Sequence, residues 1–215
     1  MVRCLNMVLH IDVISDVICP WCYIGKRRLE KAVAALDGPV KVRWLPFQLN
    51  PSMPREGISR KEYRTRKFGS LERSQELDAK VIAVGDTDGI HFAFDRIERT
   101  PNSLDAHRLI WLADKEGVQD AVVEALFRAY FTEGRDISDQ KTLIDVAAEA
   151  GLDRGKAGGV LKGDEGLEAI KEADEQAWWF QVEGVPFFII NGKITLGGAQ
   201  PPEAFLEAFG KAGRS

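Results

Sequence analysis

Several things are scarce in this 215-residue chain, and each scarcity excludes a class of protein. No run of about 20 uninterrupted apolar residues exists, which removes a membrane-spanning helix from consideration. No excess of cations exists either: 29 Lys plus Arg stand against 33 Asp plus Glu, a formal net charge of -4. A generic grip on nucleic acid or on anionic lipid therefore has no electrostatic basis. Three cysteines are too few for the disulfide framework of a small secreted scaffold. Low-complexity segments and internal repeats are also absent. The opening MVRCLNMVLHIDVISD places His10 and Asp12 inside its apolar run and carries no small-residue cleavage signal, so it reads as a strand and the expected location is cytoplasmic.

What is present is 45% hydrophobic residues, enough for one large domain or two intimate smaller ones. Val8 to Ser15 is dense in β-branched residues and predicts a strand covered on both faces. Cys19-Pro20 predicts a helix start, because proline suits the first helical position. Leu29, Ala32, Val33 and Leu36 supply its apolar stripe, and Lys26-Arg27-Arg28 reads as a solvated face. The segment VKVRWLPFQLN alternates as a second strand. From about Pro54 to Phe180 the period is 3.6, in segments such as SLDAHRLIWLADKEG and DAVVEALFRAYFTEG, which predicts an all-helical block. GVPFFIINGKITLGG then reads as two strands joined by a two-residue Asn191-Gly192 turn, followed by a helix over 202–211. The β-rich ends have too few strands to stand separately, so they must share one sheet. This gives a discontinuous α/β unit, residues 1–54 and 181–215, with residues 55–180 inserted as a helical domain.

The chemistry is concentrated in Cys19-Pro20-Trp21-Cys22. Residues three apart at a helix start are close enough to form and open a disulfide in place. Cys19, at the helix N-terminus, sits where free backbone donors and the positive end of the dipole favour a thiolate. Cys22, one turn in, is suited to resolve a mixed disulfide formed through Cys19. A structural zinc site would need about four ligands, and Cys4, His10, His91 and His107 offer no second close-spaced pair. Val185-Pro186 at the start of FFII would interrupt a ladder unless the proline is first in its strand or cis at a turn. A cis Pro186 against Cys19 would leave the Val185 backbone available to an extended substrate. Trp21 between the cysteines and His107 on the face of Leu104 and Trp111 are further substrate-contact candidates. Each has an ordinary packing role as its alternative, as do Trp178, Trp179 and Phe180.

The motifs SDVICPWCYIG, PFQLNPSMP, NSLDAHRLIWLA and GVPFFIINGK…GAQ together resemble the DsbA-family oxidoreductases of the FrnE-like branch, often labelled dithiol-disulfide isomerases. The resemblance spans nearly the whole chain. It implies a thioredoxin-like fold with a large helical insertion, a nucleophilic Cys19, a resolving Cys22 and a cis Pro186. The expectations that accompany this reading are no required cofactor and no metal, protein or small-molecule thiols and disulfides as partners, glutathione as an admissible co-substrate and a homodimer as an admissible assembly. The same superfamily holds the glutathione-dependent 2-hydroxychromene-2-carboxylate isomerases and kappa-class transferases, which usually carry serine at the position of Cys19. That chemistry, and a non-catalytic chaperone use of the fold, are the alternatives to dithiol exchange. One departure stands out: where thioredoxin-like proteins often carry a buried acid six residues before the nucleophile, this chain has Val13. Asp12 and Asp16 are the nearby acids that could handle the Cys22 proton.

Overall fold

The computed structural model describes residues 8–179 and 182–213. Cys4 and Phe180 lie outside the described residues, as do the side chains of Trp178 and Trp179. Strand β1 (Leu9–Ser15) and strand β2 (Val40–Pro46) run parallel, with helix α1 (Pro20–Val33) as the crossover between them. Strands β5 (Phe187–Ile190) and β6 (Ile194–Gly197) return antiparallel from the far end of the chain, giving a sheet of order β2-β1-β5-β6. Helix α9 (Pro202–Ala212) packs beside α1 on one face, where Phe188 meets Phe205 edge-on at 4.7 Å. This is a thioredoxin-like α/β fold with a helical insertion.

β1 alternates, and its two faces differ. Leu9, Ile11 and Val13 are buried against the α1 and α9 side. On the other face only Ile14 is covered, by Ala177 of helix α8 (Leu167–Trp179) together with Ile189. His10 is exposed, and Asp12 pairs with its cross-strand neighbour Arg43 at 2.8 Å. The strand is therefore covered on one face along its length and on the other only at its C-terminal end, short of the double cover that its composition suggested. At the hairpin, Lys193 N–H donates to Ile190 C=O across Asn191 and Gly192, both at positive φ (50° and 66°). Three residues separate the paired Ile190 and Ile194, one more than the two-residue turn expected from the dipeptide.

Between the two sheet segments run α2 (Arg60–Phe68), α3 (Leu71–Thr87), α4 (Leu104–Lys115), α5 (Gln119–Phe131), α6 (Gln140–Glu149), α7 (Arg154–Lys162) and α8. Side-chain caps start three of them: Ser70, Asp139 and Asp153 accept from the backbone N–H three residues on. The block is not all helix. Strands β3 (Ile58–Ser59) and β4 (Arg99–Thr100) pair antiparallel, and a 3-10 turn over Phe94–Arg96 precedes β4 in the chain. Two-residue strands leave no periodicity in sequence, and this ladder depends on the Arg99 guanidinium bonding to the carbonyls of Glu56 and Gly57 from across the pair.

The insertion joins the sheet through α1. Tyr23 stacks on Phe127 of α5 at 5.0 Å, and buried residues run without interruption from β1 and α1 into α4, α5 and α6. Gln119 pairs with both backbone groups of Trp44, so an α5 side chain covers the edge of β2. The Lys26-Arg27-Arg28 run is not a solvated face. Lys26 is 2% exposed and meets Glu30, Asp120 and Glu124; Arg27 meets Glu124; Arg28 meets Asp88 at 2.7 Å and the Ala199 carbonyl at 2.7 Å. The acids that receive these cations lie 60 to 98 residues away, apart from Glu30, which is why the local sequence suggested solvent.

Gly25 sets how closely α1 approaches the proline strand. A Cβ there would stand 2.9 Å from Pro186 Cγ and 3.2 Å from Phe188 Cζ. Gly25→Ala is expected to destabilise the protein by about 1–3 kcal/mol through overpacking, even though alanine favours helix. Urea unfolding followed by far-UV circular dichroism measures it, and an unchanged or raised midpoint would contradict the close fit.

Candidate active site

The sharp turn from β1 into α1 carries the site. Asp16 is completely buried, and its carboxylate accepts from the backbone N–H groups of Leu49 at 2.8 Å and Ile18 at 3.3 Å. Its carbonyl accepts from Cys19 N–H at 3.0 Å. The chain thereby turns so that Cys19 becomes the N-cap of α1, with extended backbone angles and Pro20 at the first helical position. Cys19 brings no side-chain oxygen to the orphan donors, so its sulfur is the group left facing them.

Both thiols are free, Cys19 6% exposed and Cys22 fully buried. They titrate in opposite directions. Cys19 is lowered below the ordinary cysteine value, chiefly by the hydrogen bond from the Cys22 thiol. Burial opposes this, the Cys22 and Trp21 backbone N–H groups assist it, and the Asp16 carboxylate opposes it. Cys22 is pushed well above the ordinary value by burial first, then by its hydrogen bond to Cys19 and the charge there. The Ser15 hydroxyl and the Asp16 backbone N–H pull weakly the other way. One proton shared between two desolvated sulfurs is the arrangement of a coupled pair, in which only one member ionises near neutrality.

The Val185–Pro186 peptide is cis, and the Cys19 thiol donates to the Val185 carbonyl at 3.5 Å. Among the described residues no group accepts the Val185 N–H. Pro186 C=O accepts from Gly198 N–H at 2.7 Å, so its own orientation is fixed by the hairpin. Trp21 is 39% exposed at the rim of a cavity of about 290 Å³ that Cys19 and Pro20 also line. The structure thus brings together Cys19, Cys22, Trp21, Val185 and Pro186.

His107 lies elsewhere. It is 2% exposed under the loop after β2, with Nε2 3.1 Å from the Phe47 carbonyl and 3.4 Å from Asp16 Oδ1, and it does not line the cavity. It supports the turn through Asp16 and the Phe47 carbonyl. Of the two acids near the missing thioredoxin-like carboxylate, Asp12 is held on the open sheet face by Arg43, while Asp16 lies beside the thiols. Among the described residues no group of three or more His, Cys, Asp and Glu is placed to hold a metal, and no helix is long and apolar enough to cross a membrane.

The far wall of the cavity was missed in the sequence. Arg60, Tyr63, Arg64 and Lys67 come from α2, Asp78 and Lys80 from α3, and Thr100 from β4. The signal was the cationic density of SRKEYRTRKFGS, which reads as an ordinary polar helix until α2 is seen folded over Cys19.

Comparison with known proteins agrees with this geometry. The profile of the DSBA-like thioredoxin domain family matches residues 10–210. The curated protein YwbO of Bacillus subtilis (strain 168), which is uncharacterised, is 29% identical over 207 residues, covering 94% of this chain and 96% of its own length. The crystal structure of the probable DsbA oxidoreductase SCO1869 from Streptomyces coelicolor is 30% identical with a TM-score of 0.86, covering 95% of this chain and 89% of that one. The cytosolic disulfide reductase DsbM from Pseudomonas aeruginosa, also solved with GSH, shares the fold at 19% identity and a TM-score of 0.64, over 95% of this chain and 99% of that one.

Replacing Asp16 by asparagine removes a negative charge that holds the Cys19 thiol up. Asp16→Asn is expected to move the pH profile of Cys19 alkylation to lower pH, by a few tenths of a unit to about one unit. The rate of iodoacetamide labelling against pH reads this directly. A profile that stays put or moves upward would show that the carboxylate acts only as a backbone acceptor.

Proposed function

This chain belongs to the family of DsbA-like thioredoxin domains, and on that footing we propose that it is a thiol-disulfide oxidoreductase working through the Cys19–Cys22 dithiol. The observation that carries the reading is the asymmetry of the pair: Cys19 lines a cavity with its thiol depressed, and Cys22 is sealed behind it with its thiol raised. In the forward half-reaction the Cys19 thiolate attacks one sulfur of a substrate disulfide, forming a mixed disulfide and releasing the other sulfur as a thiolate. Cys22 then loses its proton and attacks Cys19 Sγ. That closes the Cys19–Cys22 disulfide, frees the second substrate thiol and leaves the substrate reduced by two electrons. Two equivalents of a low-molecular-weight thiol reset the enzyme.

The Val185 backbone, presented beside Cys19 by the cis Pro186, is the docking edge for the substrate chain in this reading, with Trp21 against the substrate next to the sulfur. His107 is withdrawn from substrate contact and acts on the turn. Protein and small-molecule disulfides are the substrates, with glutathione as a co-substrate and the cytoplasm as the location. The occurrence of a reductase named cytosolic, and solved with GSH, among proteins of this fold supports that setting.

Cys19→Ser is expected to lower thiol-driven insulin reduction at least about a hundredfold, because among the described residues the only other thiol, Cys22, is sealed from the cavity. Cys22→Ser is expected to retain the first step and accumulate a covalent Cys19 adduct, detectable by intact-mass spectrometry without reductant. Insulin reduction that survives in Cys19→Ser would overturn the reading.

A further inference from the structure

The charge of the cavity beside Cys19 is unlike that of the chain that builds it. The protein as a whole carries a net charge of -4. The cavity walls carry four cations, Arg60, Arg64, Lys67 and Lys80, and a single carboxylate, Asp78. Asp78 is shared between Arg60 at 2.9 Å and Arg64 at 2.5 Å, so one acid serves two guanidinium groups that are themselves largely buried. An adjoining cavity of about 540 Å³ provides the contrast. It shares Arg60, Arg64 and Asp78 but adds Lys61, Asp95 and Glu98, which brings its walls to balance. The uncompensated positive charge is confined to the side where Cys19 lies.

Two further observations bear on what this charge is for. Thr100 is 3% exposed and lines the same cavity, where its hydroxyl faces that of Tyr130. Arg64 is held below the ordinary arginine value by burial, which outweighs Asp78, and Arg60 adds to the same effect. Arg64 spends its Nε on Ser74 Oγ, and Arg60 lies over the Phe94 ring at 5.0 Å.

We infer that this cavity selects low-molecular-weight disulfides bearing carboxylates, with Arg60, Arg64, Lys67 and Lys80 as specificity-determining residues that place the acid groups while the substrate sulfur meets Cys19. The inference rests on the dithiol exchange proposed above and names its substrate class. The volume of about 290 Å³ suits a molecule with a few carboxylates and a short apolar body, which Ile18 and Leu49 face. Cys19 thiolate joins one sulfur, the anionic thiolate of the other half leaves, Cys22 releases the first half, and the two electrons given up as the dithiol closes to the Cys19–Cys22 disulfide leave on the two released thiols.

The test compares three disulfides of similar size on the pre-reduced full-length protein in single turnover. Dithiodiglycolate carries two carboxylates, 2-hydroxyethyl disulfide is neutral, and cystamine carries two ammonium groups. The expected order is anion, then neutral, then cation. The anion-to-cation ratio should be about a hundredfold at low salt and shrink as ionic strength rises. Arg64→Gln and Arg60→Gln should each lower the anion-to-neutral ratio about tenfold. Lys67→Gln and Lys80→Gln, at exposed positions that folding tolerates, should lower it by a smaller factor. A flat order across the three disulfides, or a ratio that no variant moves, would overturn the inference while leaving dithiol exchange intact. Failure of all three disulfides to react with Cys19 would overturn the exchange reading itself.

Discussion

The architecture depends on keeping two sulfurs out of water at one helix N-terminus. Desolvation penalises every thiolate, so the site can carry one negative charge and not two. The same hydrogen bond, from the Cys22 thiol to Cys19, lowers one group and raises the other. The helix contributes its Cys22 and Trp21 N–H groups, but the largest favourable influence on Cys19 is its neighbour. Stabilising the reduced form in this way makes the corresponding disulfide a better oxidant, with about 30 mV corresponding to 1.4 kcal/mol. Burial, the Cys22 hydrogen bond and the Asp16 charge together set where that balance falls.

Around this pair the fold fixes distances at backbone level. The Asp16 carboxylate ties the β1–α1 turn to the loop at Leu49, and His107 reaches the same carboxylate from α4. Gly25 lets α1 approach Pro186 so that the Val185 carbonyl meets the Cys19 thiol. The insertion is fastened to the same helix through Tyr23 and the buried Lys26, which places α2 and α3 over the cavity mouth. The insertion therefore supplies the far wall of the cavity, while the thioredoxin-like unit supplies the two sulfurs at the start of α1. Relatives of this fold can vary one part without disturbing the other.

Much of the reacting part was legible because its signals are local. Cys19-Pro20 marks a helix start by the chemistry of proline, the three-residue spacing places the second thiol, and Pro186 before FFII has few uses other than a turn. Asn191-Gly192 identified the hairpin, but its length was misjudged by one residue, since the extra Lys193 changes the register without changing the turn residues. The cation run at 26–28 was misread because charge pairing is a property of tertiary neighbours: Asp88, Asp120 and Glu124 are remote in sequence. The cavity wall was hidden for the same reason, as Arg60 and Arg64 gain their role only when α2 is laid over Cys19. The β3–β4 ladder escaped because two-residue strands have no period to detect.

A single ionisation is divided unequally between two sulfurs. Labelling the protein with cysteine carrying ¹³C at Cβ, assigning Cys19 and Cys22 by substitution, and following both signals against pH in the reduced state measures it directly. The Cys19 signal is expected to titrate below the ordinary cysteine range and the Cys22 signal to move only well above it. Two superimposed titrations near the value of free cysteine, about 8.5, would contradict it.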